Sequence, residues 1–421
     1  MNRRLTVAAA ATLTAAAALA TLTGCGSSGS GDGGSASLSY MIWDTNSKEP
    51  YDKLIEAFQK EHPEIDVEVT AVPWDQYWTK LQTQASSGSL PDVFWINEPN
   101  FQLYASNDTL APVSDDYDPK EFPEALVKSY TYDDKVLAAP QTYHTIGVWY
   151  NADIFERAGV TPPAAGWTLD DFSTAAKDIA KALKGEGVYG AASVPGAAQE
   201  TYYNTIVEEG GEVISEDGTT SGYGDPKTIE GLKIWTDLIA EGAAPTVDQL
   251  AESQALQYFT SGKLAMLWSG GWQANNLKDS EIVDSVKVAP LPQGPSDLVT
   301  TIQGAANAVA ANSKNLEAAQ KFRSFLTGQE ASEIFGEAGL GIPARTSAAD
   351  SFTKAFPNWD LQLFVDQAAH AAPYPVSLNT ATWNQLEVEY LTPAWKGEKP
   401  VEQAAKELAA AMDEALAKEK R

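Results

Sequence analysis

Between Leu38 and Ile96 the hydrophobic pattern switches repeatedly between a period of two and a period near 3.6, and this alternation constrains the fold more than any other feature. LSYMIWD (38–44) reads as a strand. YDKLIEAFQKEHP (51–63) places Leu54, Ile55 and Phe58 at helical spacing and stops at Pro63. IDVEVTAVP (65–73) alternates as a second strand, WDQYWTKLQTQASSG (74–88) is helical up to Gly88, and PDVFWI (91–96) is a third, short apolar strand. Strands separated by helices cannot close as hairpins. They form a parallel sheet with crossover helices, so the fold class is α/β. Ligands of such sheets sit outside the carboxyl ends of the strands. That singles out Asp44–Lys48, Val72–Trp74 and Asn97–Asn100.

The rest of the chain follows the same grammar. Residues 145–160 read as a strand running into a helix, and 167–183 as a helix with Thr168 as N-cap and Asp170 and Asp171 in its first turn. Helices follow over 226–242 and 250–262, each stopped by a glycine. KLAMLWSGGW (263–272) is a buried strand that breaks at Gly270-Gly271, and Trp268 within it reads as core. Further helical stretches cover 315–339 and 401–420. No internal repeat appears.

The chain has one cysteine, Cys25, so no disulfide can form within it and stability must come from core burial. Ahead of Cys25 stand Arg3, Arg4 and an uncharged Ala-rich run, which reads as a secretory signal over residues 1–24. LTGC (22–25) matches a bacterial lipobox, whose cysteine sulfur receives a diacylglyceryl group; Cys25 is the expected lipid anchor and the Gly/Ser tract to residue 37 a flexible tether. An uncleaved membrane span is the alternative, disfavoured by the weak apolarity of Ala and Thr. The formal net charge is −28, and loss of the two leader arginines makes it −30. Such acidity argues against nucleic acid as partner. The twelve tryptophans and sixteen tyrosines exceed what a core of this size needs and suggest a site built from aromatic faces.

Several stretches resemble the extracellular solute-binding proteins of sugar ABC importers, the group that includes maltose-binding protein. They are SLPDVFWIN (89–97), GVWYNADIFERAGVTPP (147–163), GWTLDDF (166–172), YFTSGKLAMLWSGGW (258–272), NSKNLEAAQKFRSFLTGQEAS (312–332), GLGIPAR (339–345) and PAWKGEKPVEQAAKEL (393–408), in the family's order. The resemblance implies a two-lobed periplasmic-binding-protein type II fold, with mixed sheets, helices on both faces, a central cleft and three interlobe crossings. These crossings would fall near Tyr143–Gly147, Thr300–Gly304 and Gly341–Arg345. Lobe 1 would comprise 38–142 plus 302–344, and lobe 2 143–301 plus 345–421. The implied function is non-catalytic capture of a sugar or oligosaccharide and its delivery to ABC permease subunits, by a monomer held on the outer face of the cytoplasmic membrane. No cofactor or metal is expected; His62, His144 and His370 lack metal-ligand spacing. A secreted carbohydrate hydrolase and a surface sugar receptor or adhesin are the alternatives. Hydrolysis needs two carboxylates about 5–9.5 Å apart, and no motif marks such a pair.

A sugar offers weakly positive C–H faces and a rim of hydroxyls, so its site needs aromatic faces and hydrogen-bonding side chains. Trp272, freed by Gly270 and Gly271, matches a ligand-stacking tryptophan of maltose-binding protein, with Gly271 beside it as a candidate backbone contact; packing on its neighbour is the alternative for Trp272. After the third strand come Trp95, Asn97 and Glu98, where the family carries a tryptophan and carboxylates. Trp43, Asp44 and Asn46 follow the first strand and Trp74 the second. Tyr143 and His144 lie at a presumed crossing, His144 where maltose-binding protein has a ligand carboxylate. Gln303 lies at another. Arg345 is read either as a ligand contact or as a hinge salt bridge, and Tyr374 and Trp383 precede the final helices, where relatives carry ligand contacts.

Overall fold

The first strand, β1 (Ala36–Ile42), pairs in parallel with β2 (Ile65–Ala71) from Ala36↔Ile65 to Ile42↔Ala71, and with β3 (Val93–Asn97) on its other side. The computed structural model describes residues 35–419 apart from Asp44, Asn46 and Ser47. Cys25, Asp44 and Asn46 therefore lie outside the described residues, as do the leader and most of the tether. Two crossover helices, α1 (Lys48–Glu61) and α2 (Trp74–Ser86), connect these strands, as the alternating period requires.

The sheet then departs from all-parallel. Helix α3 (Glu98–Ser106) follows β3 directly, a short hairpin covers Thr131–Val136, and β4 (Ala138–His144) arrives. Strand β4 lies antiparallel to the long strand Thr300–Val309, which inserts between it and β3 and is antiparallel to both. The order across this seven-stranded sheet is Ile342–Pro343, β4, Thr300–Val309, β3, β1, β2, with Ala371–Pro373 added beside Thr300–Ile302. Burial on both faces explains the small apolar run Ala305, Ala306 and Ala308 in the central strand. Asn307 interrupts it and is satisfied: it accepts from Tyr40 Oη at 2.8 Å and donates to Gln141 Oε1 at 2.9 Å.

Only Thr145 separates β4 from β5 (Ile146–Asn151), which belongs to a second, three-stranded antiparallel sheet with β6 (Met266–Gly270) and β7 (Val286–Ala289). The joint is fastened on both sides. Thr145 donates to the Phe364 carbonyl at 2.6 Å, and the Ile146 amide donates to Thr300 Oγ1 at 3.0 Å. The central strand Thr300–Val309 is β8. One apolar core surrounds the larger sheet, another surrounds the smaller with Trp235, Trp268, Trp383 and Trp395, and a third fills the region around Tyr143, Trp149 and Phe364.

Several helices are shorter or more broken than the sequence suggests. The 250–262 stretch is two helices, Val247–Glu252 and Ala255–Thr260, parted by extended Ser253. The 315–339 stretch breaks at Gly328 between Leu316–Leu326 and Gln329–Glu337. Residues 167–183 resolve as Leu169–Ala182, where Thr168 caps the Asp171 amide and Asp171 returns the bond to the Thr168 amide.

Candidate functional site

The carboxyl ends of β1, β2 and β3 open onto a cleft of about 540 Å³, within the roughly 300–1,000 Å³ usual for small-molecule sites. Trp43 follows β1, Pro73 and Trp74 follow β2, and Trp95 and Asn97 close β3; all line the cleft. Thr142 and His144 reach it from β4 and Gln303, Gly304 and Ala305 from β8. Alternation explains Tyr143: it points to the opposite side of β4 from Thr142 and His144, and is buried in apolar core.

The tryptophans form a packed wall. Trp43 meets Trp95 at 4.6 Å and Trp74 at 5.5 Å between ring centres, both edge-to-face. Trp95 Nε1 is anchored on Gln141 Oε1 at 2.8 Å, which fixes the ring at the floor. From the smaller sheet comes Trp272. Its ring folds back over Gly270, where a Cβ would stand 1.8 Å from ring carbon Cζ3. Glycine is therefore required at 270 by close approach. Trp272 then meets His144 edge-to-face at 4.8 Å. Burial pushes the His144 imidazole down to about 4, so it is neutral near pH 7, and its Nδ1 has no protein partner.

The polar groups on this side come from residues the sequence reading passed over. Asn275 and Asn276 line the cleft, and so do Gln199 and Glu200. Asn276 donates to Gln273 at 2.9 Å, Gln273 to Ser269 at 3.0 Å, and Ser269 to Glu200 Oε2 at 2.8 Å. Every donor in this chain points toward one half-buried carboxylate, which burial raises to about 7. Asn275 and Asn276 were findable: they sit three and four residues after Trp272, one helical turn on. Gln199 and Glu200 stand in an irregular segment that no periodicity marks.

Other expectations fall elsewhere. Glu98 is 2% exposed and does not line the cleft. One oxygen accepts the Gly304 amide at 2.8 Å and the other lacks a protein partner; burial raises its carboxyl to about 8. As the first residue of α3, directly after the strand, Glu98 turns behind the sheet. Gly271 is buried against Phe352 and Phe364. Arg345 pairs with Glu121 at 2.7 Å, donates to the Thr327 carbonyl at 2.8 Å and covers the Phe122 ring, so the salt-bridge alternative describes it. Tyr374 packs edge-to-face on Tyr203 at 5.5 Å. Trp383 is fully buried, its Nε1 donating to Ser377 Oγ at 2.9 Å; a helix face that packs on the core carries it inward. Among the described residues, no group of three or more His, Cys, Asp or Glu could hold a metal.

Residues 44–333 match the family of bacterial extracellular solute-binding proteins. The chain is 26% identical over 388 residues to the maltooligosaccharide ABC transporter solute-binding lipoprotein of Streptococcus pneumoniae, covering 89% of this chain and 87% of that protein. It is 26% identical over 363 residues to the diacetylchitobiose binding protein DasA of Streptomyces coelicolor, covering 82% of each. The structure of an ABC substrate-binding protein from Listeria monocytogenes in complex with cycloalternan matches with a TM-score of 0.83 at 24% identity, over 91% of this chain and 99% of that one. The fold is thus the two-lobed one the sequence resembles, with a tryptophan-walled cleft at the strand ends. The chain belongs to the bacterial extracellular solute-binding proteins.

Proposed function

We propose that this protein captures a sugar or oligosaccharide in the cleft and delivers it to the permease of an ABC importer. The observation that carries the reading is the composition of one cleft: Trp43, Trp74 and Trp95 beside one sheet, Trp272 beside the other, and between them hydrogen-bonding groups of which, among the described residues, Glu200 alone is a carboxyl. Indole faces are negative and suit the C–H faces of a sugar ring, and the polar groups suit its hydroxyls. Trp272 and Trp95 stack. Asn97, Gln199, Asn275, Asn276, Gln303 and neutral His144 bond hydroxyls, and Glu200 accepts from them. The relatives that bind maltooligosaccharide and diacetylchitobiose support this class of ligand. The family consists of binding proteins, so the hydrolase alternative has no support.

The lobes are assigned as 38–142 plus 302–344 and 143–301 plus 345–421, except that Tyr143, His144, Thr300 and Thr301 go with the first, because β4 and β8 carry them in the larger sheet; the joints lie near Thr145, Ile302 and Ala344. Cys25 carries the lipid that holds the protein outside the cell; the similar Streptococcus protein is named a lipoprotein, which supports an anchor of this kind. Among the described residues, no helix is long and apolar enough to cross a membrane.

The test is titration of the compact unit Ser35–Arg421 with a sugar panel, read by tryptophan fluorescence and melting temperature. At a hundredfold excess over Kd, a binding sugar stabilises by about 2.7 kcal/mol. Trp272→Ala removes that gain while leaving the unliganded transition in place. A panel in which no sugar changes either signal overturns the reading.

A further inference from the structure

Trp43, Trp74 and Trp95 lie at graded depth. Trp95 is buried at 4% exposure, Trp43 is intermediate, and Trp74 is 50% exposed. They touch in that order, with ring centres 4.6 Å and then 5.5 Å apart. The wall therefore climbs from the cleft floor to its rim. Trp74 is the outer step, and Pro73 and Thr45 beside it on the rim are exposed too.

Trp74 is held in place although half of it faces water. It opens α2, behind Pro73, whose backbone (φ −52, ψ 142) turns the chain from strand to helix. The Val72 amide donates to the Ile42 carbonyl at 2.9 Å and ties this corner to the end of β1. Trp43 and Trp78 each meet the Trp74 ring at 5.5 Å and nearly perpendicular. A rigid, well-packed indole with open apolar surface at a cleft mouth is a recognition surface rather than core. It is also continuous with the cleft itself, which says what covers it: more of the same ligand.

Resting on the sugar reading above, we propose that Trp74 is the platform of an outer subsite, and that the ligand is an oligosaccharide whose chain runs from the Trp95–Trp272 region out to the rim. Trp74 reads chain length. A monosaccharide held at the floor does not reach it, and each longer homologue gains affinity only until a ring lies on Trp74.

The experiment uses the unit Ser35–Arg421 and two homologous series, glucose to maltohexaose and N-acetylglucosamine to chitohexaose, titrated calorimetrically. Three forms are compared: unmodified, Trp74→Ala and Trp74→Phe. In the series that binds, Trp74→Ala lowers affinity for the longest members about tenfold, about 1.4 kcal/mol, and leaves the shortest binding member unchanged. Trp74→Phe restores most of the loss. An exposed residue makes this variant safe for folding, and an unchanged melting temperature checks it. If Trp74→Ala leaves every length unchanged, or weakens every length equally, the outer subsite is overturned while the sugar reading stands. If neither series binds the unmodified protein, the outer subsite as proposed is overturned, and the sugar reading is decided by the wider panel.

Discussion

Glu98 shows what one residue's surroundings do to its role. Its carboxyl hangs on the Gly304 amide while Tyr130 donates to the Gly304 carbonyl at 2.9 Å, so both ends of that residue's backbone are held from behind the cleft floor. A Cβ at 304 would lie 2.0 Å from the Thr142 carbonyl oxygen, so only glycine fits there. Glu98 is raised to about 8, against an ordinary value of 4.5. Between those values the folded protein keeps a proton that the unfolded chain releases. Below pH 4.5 both states are protonated and nothing is lost; from pH 4.5 to 8 only the unfolded chain gains by ionising, so stability falls as pH rises, and above 8 both states are ionised and the loss levels off. Glu98→Gln keeps the acceptor for Gly304 and removes the ionisation. It is expected to flatten the fall in denaturant-measured stability between pH 5 and 8, leaving the variant up to about 4 kcal/mol more stable than the parent at pH 8. Equal slopes for the two proteins would show that Glu98 ionises freely. Nothing in the sequence distinguishes this glutamate from a ligand group. The segment FWINEPN places it at a strand end, and only the turn into α3 decides which way it faces.

At the scale of elements, local signals were legible where they were redundant. Thr168 and Asp171 stand three apart before an apolar period, and the structure has both halves of the reciprocal cap, at 2.8 Å and 3.1 Å. Thr168→Ala is expected to cost about 1 kcal/mol, read as a lower denaturation midpoint with unchanged m-value. The three parallel strands and their crossovers were legible for the same reason: length, period and stop residues agree. Where one signal stood alone, it misled. The 250–262 stretch keeps a helical period through Ser253, whose extended backbone breaks it. The antiparallel insertion of β8 between β3 and β4 depends on contacts such as Gln303↔His144 and Val309↔Val93, far apart in sequence, which no local window contains.

For the whole molecule, the cleft was legible as a place before it was legible as a list of residues. Strand ends predicted where to look, and Trp43, Trp74, Trp95, Asn97, His144, Trp272 and Gln303 line one cavity. Tyr143, Glu98, Gly271, Arg345, Tyr374 and Trp383 do not, because strand alternation, helix facing and a neighbouring glutamate turn them elsewhere. The lipobox belongs to this scale too, since it concerns where the folded body is kept. Cys25→Ser in the full chain is expected to shift the protein from the membrane fraction to the medium and to abolish labelling by fatty acid, with sugar binding intact. Retention on the membrane by that variant would assign the anchor to another feature.

The link at Thr145 is the shortest path between the two sheets. With a single buried residue between the last position of one sheet and the first of the other, and that residue tied to Phe364, the chain there has no slack. If the two halves move on capturing a solute, the prediction is a rotation about Thr145 that leaves distances within each sheet unchanged, which scattering with and without sugar checks.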